Sequence, residues 1–123
     1  CPEGYRPPKM VLDFAAQYGD KFFMTDKPLE AAVDADVVIT DVWTSMGQEE
    51  ERAAREAAFA GYQVNAELMS KAHSDAMVLH CLPAHREEEI TTEVFEAHAN
   101  EIFDEAENRL HAQKAVLVRT MKG

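Results

Sequence analysis

Apolar positions in this chain follow two rhythms. Short unbroken runs, Val37-Val38-Ile39 and Ala76-Met77-Val78-Leu79, read as buried strands over residues 36–40 and 76–81, the second stopped by Pro83. Other stretches carry a helical period. Met10, Val11, Phe14, Ala15 and Tyr18 share one helical side, with Gly19 as a stop. Residues 26–33 predict a short helix with Asp26 as its cap. Residues 48–60 predict a longer one, with Ala53, Ala54, Ala57 and Ala58 on one face, a Glu51–Arg55 pair and Gly61 at its end. Asn65 caps a further helix through residue 72. Thr91 opens another, with Ile90 and Phe95 placed as a hydrophobic staple. Two shorter strands are expected at 21–24 and 101–103. After the second, Asp104 and Glu107 have capping-box spacing for a last helix over 105–121, with Ala106, Leu110, Leu117 and Met121 along one side.

Strands therefore alternate with helices. That order predicts an α/β fold, a three-layer parallel sheet flanked by helices and joined by right-handed crossovers. Ligands of such sheets bind outside the carboxyl ends of the strands, so residues following 36–40 and 76–81 should share one crevice.

Bulk properties narrow the class. The 123 residues suit a single domain, and 46% hydrophobic content suits a folded one. A net charge of −11 argues against nucleic acid as a partner. No apolar run approaches the roughly 20 residues of a membrane span. Cys1 and Cys81 read as unpaired thiols of a reducing, cytoplasmic compartment. Neither a Gly-x-Gly-x-x-Gly nor a Walker pattern occurs, so no dinucleotide or ATP is indicated. The opening Cys1-Pro2-Glu3-Gly4-Tyr5 is no signal peptide and reads as a loop following a strand. The chain is thus expected to belong to a longer protein, with a sheet incomplete on its N-terminal side whose open edge recruits strands by dimerising or swapping.

Chemistry concentrates where the two apolar runs end. Asp41 fits either a turn cap or a carboxylate holding a substrate ammonium. Beyond it, Ser45-Met46-Gly47-Gln48 opens a helix, with Ser45 and Gln48 at capping-box spacing. Backbone N–H groups at Met46 and Gly47 would suit a carboxylate. An acceptor for ammonium beside donors for carboxylate is what an α-amino acid needs. Cys81 fits a nucleophile with a depressed pKa beside His80, a hydrogen-bonding group, a metal ligand or a small core residue. His80, Cys81 and His85 lack a familiar zinc spacing. Leu82-Pro83 is a candidate cis peptide. Arg109 alone reads as a surface arginine paired with Glu105. Trp43 fits core or site wall equally. His73, His98 and His111 read as surface residues, and the runs Glu49–Glu51 and Glu87–Glu89 as solvated.

Three motifs then carry a resemblance. Asp41-Val-Trp-Thr-Ser45-Met46-Gly47-Gln48-Glu49, His80-Cys81-Leu82-Pro83 and the stretch from Phe103 through Asn108-Arg109 to Ala115, in that order, are similar to the ornithine-binding half of the ornithine carbamoyltransferases. So is the Cys-Pro-Glu-Gly-Tyr opening, and the likeness spans essentially all of residues 1–123. The resemblance implies the Rossmann-like ornithine-binding domain of the aspartate/ornithine transcarbamylase family. It implies transfer of a carbamoyl group from carbamoyl phosphate to the δ-amine of L-ornithine, with citrulline and phosphate as products, no metal and no organic cofactor. Asp41, Ser45 and Met46 match positions that hold the ornithine backbone. Cys81 and Leu82 match the segment near the carbamoyl group and the δ-amine, with Leu82-Pro83 cis. Arg109 matches a carbamoyl phosphate contact. Asp41, Cys81 and Arg109 are accordingly the candidate catalytic residues. The family implies trimers and a cytoplasmic location.

The carbamoyl phosphate domain, with its Ser-x-Arg-Thr-Arg helix start, is not in this sequence, nor is the earlier strand that carries an ornithine-binding Asn. The 123 residues alone are therefore expected to be inactive. Glu87 stands where relatives commonly have Gly, at a place that would favour a positive φ. Two other readings stay open: a transcarbamylase for putrescine or an acylated ornithine, and a non-catalytic amino-acid-binding or interaction module.

Overall fold

The computed structural model describes residues 1–45 and 47–122. Two parallel strands form its sheet: β1 (Val37–Thr40) and β2 (Met77–His80), aligned from Val37 opposite Met77 to Thr40 opposite His80. Parallel neighbours need a crossover. It contains α3 (Arg52–Ala58) and α4 (Ala66–Met69). Before β1 lie α1 (Lys9–Ala16) and the single turn α2 (Pro28–Ala31); after β2 come α5 (Thr92–Ala97) and the long α6 (Ala99–Met121). No helix among the described residues is long and apolar enough to cross a membrane.

Side-chain caps set two helix starts. Asn65 accepts from the Leu68 N–H at 3.0 Å, and Thr91 from the Val94 N–H at 3.3 Å. The staple residues Ile90 and Phe95 both enter the core, which gathers Val64, Leu68, Val78, Val94 and Ile102 around them. Extended backbone at Val64 runs beside the loop after β2. The Val64 N–H donates to the Glu89 carbonyl at 2.8 Å, and the Thr91 N–H to the Val64 carbonyl at 3.0 Å. That pairing fixes the loop carrying the second half of the crevice.

Several expected elements differ. Residues 21–24 form no strand: a turn of 3-10 helix at Gly19–Lys21 leads into extended backbone at Phe22, and Phe23 is 69% exposed. A strand exists by pairing, and β1 pairs only with β2 among the described residues. Residues 101–103 join α6 instead of forming a strand. Helical spacing there buries Ile102 completely and lets the Glu101 carboxylate accept from the Val78 N–H of β2 at 2.9 Å. That backbone donor is one a neighbouring strand would have used. Asp104 and Glu107 consequently lie inside α6, and the capping box does not form. At α2 the N-cap is Lys27, followed by Pro28, not Asp26. The Glu51–Arg55 pair forms at 2.9 Å, whereas Ala53, Ala54 and Ala57 are exposed. The apolar sides of α1 and α6 also face solvent: Phe14 is exposed on the first, Leu110, Leu117 and Met121 on the second.

Candidate active site

Thr40 and His80 are register partners at the carboxyl ends of β1 and β2. The next residue on each strand is therefore brought level with the other, and those residues are Asp41 and Cys81. The Cys81 thiol donates to Asp41 Oδ1 at 3.4 Å, and the same oxygen accepts from the Val42 N–H at 2.8 Å. Both side chains are solvent-exposed, as ligand-facing groups must be. The thiol is pushed above its usual pKa, first by partial burial, then by the hydrogen bond and negative charge of Asp41, and further by Glu105 on α6. This reverses the depressed pKa expected from the neighbouring His80. At neutral pH Cys81 is a neutral thiol and a hydrogen-bond donor, not a ready thiolate.

His80 explains why it gives no help. The ring is fully buried, and its Nδ1 accepts the Leu82 N–H at 3.0 Å. The ring hydrogen is therefore on Nε2, which donates to Glu89 Oε1 at 2.9 Å. His80 is wedged between a backbone donor and a buried carboxylate. Glu89 is itself 0% exposed, so the solvated reading of the Glu87–Glu89 run fails at its last member. Its Oε1 also accepts the His85 N–H at 2.7 Å. One carboxylate thus ties the start of the loop after β2 to its end.

Within that loop the Leu82–Pro83 bond is cis. Leu82 packs against the core. Glu87 has φ +67°, the left-handed conformation a glycine would take most easily. For a side-chain-bearing residue that costs on the order of 1 kcal/mol. Glu87 Oε1 offsets it by accepting the Thr92 N–H at 2.8 Å at the start of α5, a bond that lowers the Glu87 pKa.

The other expected site residues are placed less firmly. Ser45 is exposed, and its N–H donates to Gln48 Oε1 at 3.3 Å, half of the expected capping box. Met46 lies outside the described residues. Trp43 stacks on Phe59 with ring centroids 6.0 Å apart and forms part of a wall. That wall belongs to a groove of about 480 Å³ along the outer flank of β1, which Asp41 borders and Cys81 does not. Arg109 sits exposed on α6 and makes no ion pair or hydrogen bond among the described residues; the expected partner Glu105 does not meet it. Instead one Glu105 oxygen is buried without a partner.

The structure thus joins Asp41 with Cys81 and does not join Arg109 to them. It gives three residues roles that the sequence does not announce: His80 as a brace, Glu89 as its anchor and Glu105 as a second carboxylate near the thiol. Two carboxylates around a neutral thiol form an acidic pole that suits a cationic amine. A single sequence carries one hint of the Glu89 role, an acidic residue set directly against the apolar Ile90 at a helix start.

Comparisons with known proteins identify the family of the domain. Residues 1–120 match the family model of the Asp/Orn binding domain of aspartate/ornithine carbamoyltransferase. The ornithine carbamoyltransferase of Geobacter sulfurreducens is 54% identical over 123 residues, which is 99% of this chain and 41% of that protein. That of Oleidesulfovibrio alaskensis is 54% identical over 122 residues, 99% of this chain and 41% of its own length. Among solved structures, the anabolic ornithine carbamoyltransferase of Campylobacter jejuni superposes with a TM-score of 0.88 at 42% identity, over 96% of this chain and 40% of that one. The Pyrococcus furiosus enzyme gives 0.82 at 49% identity, over 94% and 38%. The chain therefore spans about two fifths of the length of the curated relatives it matches.

Proposed function

Because this chain belongs to the aspartate/ornithine carbamoyltransferase family through its Asp/Orn-binding domain, we propose that it is the amino-acid-binding part of an ornithine carbamoyltransferase. That enzyme moves a carbamoyl group from carbamoyl phosphate to the δ-amine of L-ornithine. The observation that carries the reading is the Cys81–Asp41 contact at 3.4 Å, set at adjoining strand ends as an amine-orienting pair.

The chemistry suits these groups. An alkyl ammonium has a pKa near 10 and cannot attack a carbonyl until it loses a proton. Asp41 attracts the ammonium, and the neutral thiol of Cys81 offers a hydrogen bond that orients the deprotonated amine. The amine lone pair forms a bond to the carbamoyl carbon, and the carbonyl oxygen takes up negative charge. Collapse of that oxyanion breaks the bond to the phosphate oxygen, the attacking nitrogen gives its extra proton to the departing phosphate, and citrulline and phosphate result. Positive donors lower the barrier at the oxyanion stage. Arg109 is the proposed contributor from this chain, brought to the reacting centre when carbamoyl phosphate binds. Asp41, Ser45 and Met46 are proposed to hold the ornithine backbone, and Cys81 with Leu82 to lie near the carbamoyl group and the δ-amine. Holding both substrates in register supplies several kcal/mol of the rate advantage, about what well-placed reactants gain. The same reading makes the whole enzyme a cytoplasmic trimer of arginine metabolism.

The test is reconstitution. This chain is mixed with a separately produced carbamoyl phosphate-binding domain, and citrulline is measured with ornithine, putrescine or N-acetylornithine as acceptor. Turnover with ornithine alone supports the proposal. Turnover with another amine moves the assignment within the family. Ornithine binding by calorimetry without turnover in any pairing makes the chain a binding module.

A further inference from the structure

The loop between β2 and α5 holds a second group of ligand-type side chains, apart from Asp41 and Cys81. A ring nitrogen of His85 and one carboxylate oxygen each from Glu88 and Glu89 lie within 4.8 Å of one another. Two atoms of this group are buried with no hydrogen-bond partner: His85 Nδ1 and Glu89 Oε2. Glu89 is 0% exposed, and its Oε1 is already taken by the His80 ring and the His85 N–H. A buried carboxylate oxygen left without a donor is costly, and such atoms in folded proteins are met by a partner. Within the group, His85 Nδ1 and Glu88 Oε2 lie 3.6 Å apart. That is too long for a hydrogen bond and close to the spacing of two ligands that share one ion at bond lengths of about 2.0–2.2 Å.

From these observations we propose that His85, Glu88 and Glu89 form a binding site for a first-row divalent cation of the zinc type. One imidazole and two carboxylates are the donor set such an ion takes, with solvent filling the remaining position. His85 supplies Nδ1, Glu88 supplies Oε2 and Glu89 supplies the orphaned Oε2. The other Glu88 oxygen is held by the Arg52 guanidinium. That pair competes for Glu88, and it also keeps Oε2 turned toward His85. The site's role is structural reach into the crevice: an ion on Glu89 Oε2 stiffens the carboxylate that holds His80, and His80 holds the Leu82 N–H. The cluster formed by Asp41, His80 and Cys81 also has donors within 4.8 Å, but both His80 nitrogens are engaged there.

The experiment titrates the whole chain with cobalt(II) alone and follows visible absorption and stoichiometry, with zinc(II) as competitor. No substrate is present, so the result stands apart from the carbamoyl transfer reading. The expected result is one cobalt bound per chain, without the intense thiolate-to-cobalt charge-transfer band, and unchanged in Cys81→Ser. His85→Ala and Glu88→Gln, checked for folding by circular dichroism, should each weaken binding at least tenfold or so, since even outer-shell partners of a metal are worth 10–100-fold. Absence of cobalt binding, loss of binding in Cys81→Ser, or unchanged binding in either His85→Ala or Glu88→Gln overturns the proposal. In that event the two orphaned atoms are met by water.

Discussion

The two strand ends that form the crevice are built differently. Beyond β2, the loop is braced from beneath: His80, Glu89 and Ile90 are all fully buried, and one carboxylate binds both ends of the segment. Beyond β1, Asp41 through Gln48 is held from outside. Ties among its described residues include a turn bond to the Val42 N–H, a backbone-to-Gln48 contact at 3.3 Å, the Arg55 guanidinium on the Trp43 carbonyl and the Trp43–Phe59 stack. The difference assigns work. The half that places the thiol is part of the core, so its geometry is set by folding. The half that would grip an amino acid rests on partly exposed contacts, which a ligand can rearrange at small cost.

The sharpest way to break this contrast is to cut each side in turn. Ile90→Ala removes a fully buried side chain beneath the β2 loop and should destabilise the fold by about 2–5 kcal/mol in urea denaturation. Ile39→Ala, on the exposed outer flank of β1, should stay within about 0.5 kcal/mol. Similar losses at both positions would mean that the two strands are equally embedded, and the contrast would go.

A second cut separates position from stability. In the reconstituted enzyme, Cys81→Ala should lower kcat on the order of 100-fold, the scale of a misoriented reactant. Its urea midpoint should barely move, because the side chain is exposed. The raised thiol pKa predicts further that Cys81 stays unmodified during turnover. A carbamoylated Cys81 in the mass spectrum would replace the orienting role with a covalent one.

How far the sequence could foresee this division follows from which interactions are local. Local signals were readable: the Asn65 and Thr91 caps, the Ile90–Phe95 staple and the two apolar runs all appear where expected, while the cis Leu82–Pro83 bond was an expectation of the family resemblance alone. The Asp41–Cys81 meeting was readable too, because parallel register carries one strand end to the other. Failures cluster where pairing with a distant partner decides. Ile102-Phe103 has strand character, yet Ile102 buries better in a helix once Glu101 takes the Val78 N–H. Residues 21–24 have strand character and no strand to join among the described residues. Glu89 sits in an acidic run that composition marks as surface, and only the His80 ring nine residues away makes it core.

Within the braced half, the cap at Thr91 offers a smaller test. Thr91→Ala removes the acceptor for the Val94 N–H and should cost about 1 kcal/mol. Glu87 offers a second acceptor one residue on, so the double change Thr91→Ala with Glu87→Ala should cost more than the sum of the singles. Strict additivity would show that the two caps act independently of each other.

The smallest expected effect concerns the link between α6 and β2. Burial alone would raise the Glu101 pKa, but the Val78 N–H and the His98 ring outweigh it, and the net shift is downward from 4.5. A carboxylate whose folded pKa lies below its unfolded value binds fewer protons in the folded state. Its contribution is therefore complete above the ordinary carboxylate pKa and is lost as pH falls through the lowered value. The side chain is about a third exposed, at 35%, so solvent screening limits the contribution to a few tenths of a kcal/mol. Glu101→Gln keeps a hydrogen-bond acceptor for Val78 and removes the charge. Urea midpoints of the two proteins should differ slightly at pH 7 and converge below the ordinary carboxylate range. A difference that persists unchanged into acid would show that Glu101 acts through shape alone, and that α6 is fastened to the sheet by Ile102 rather than by charge.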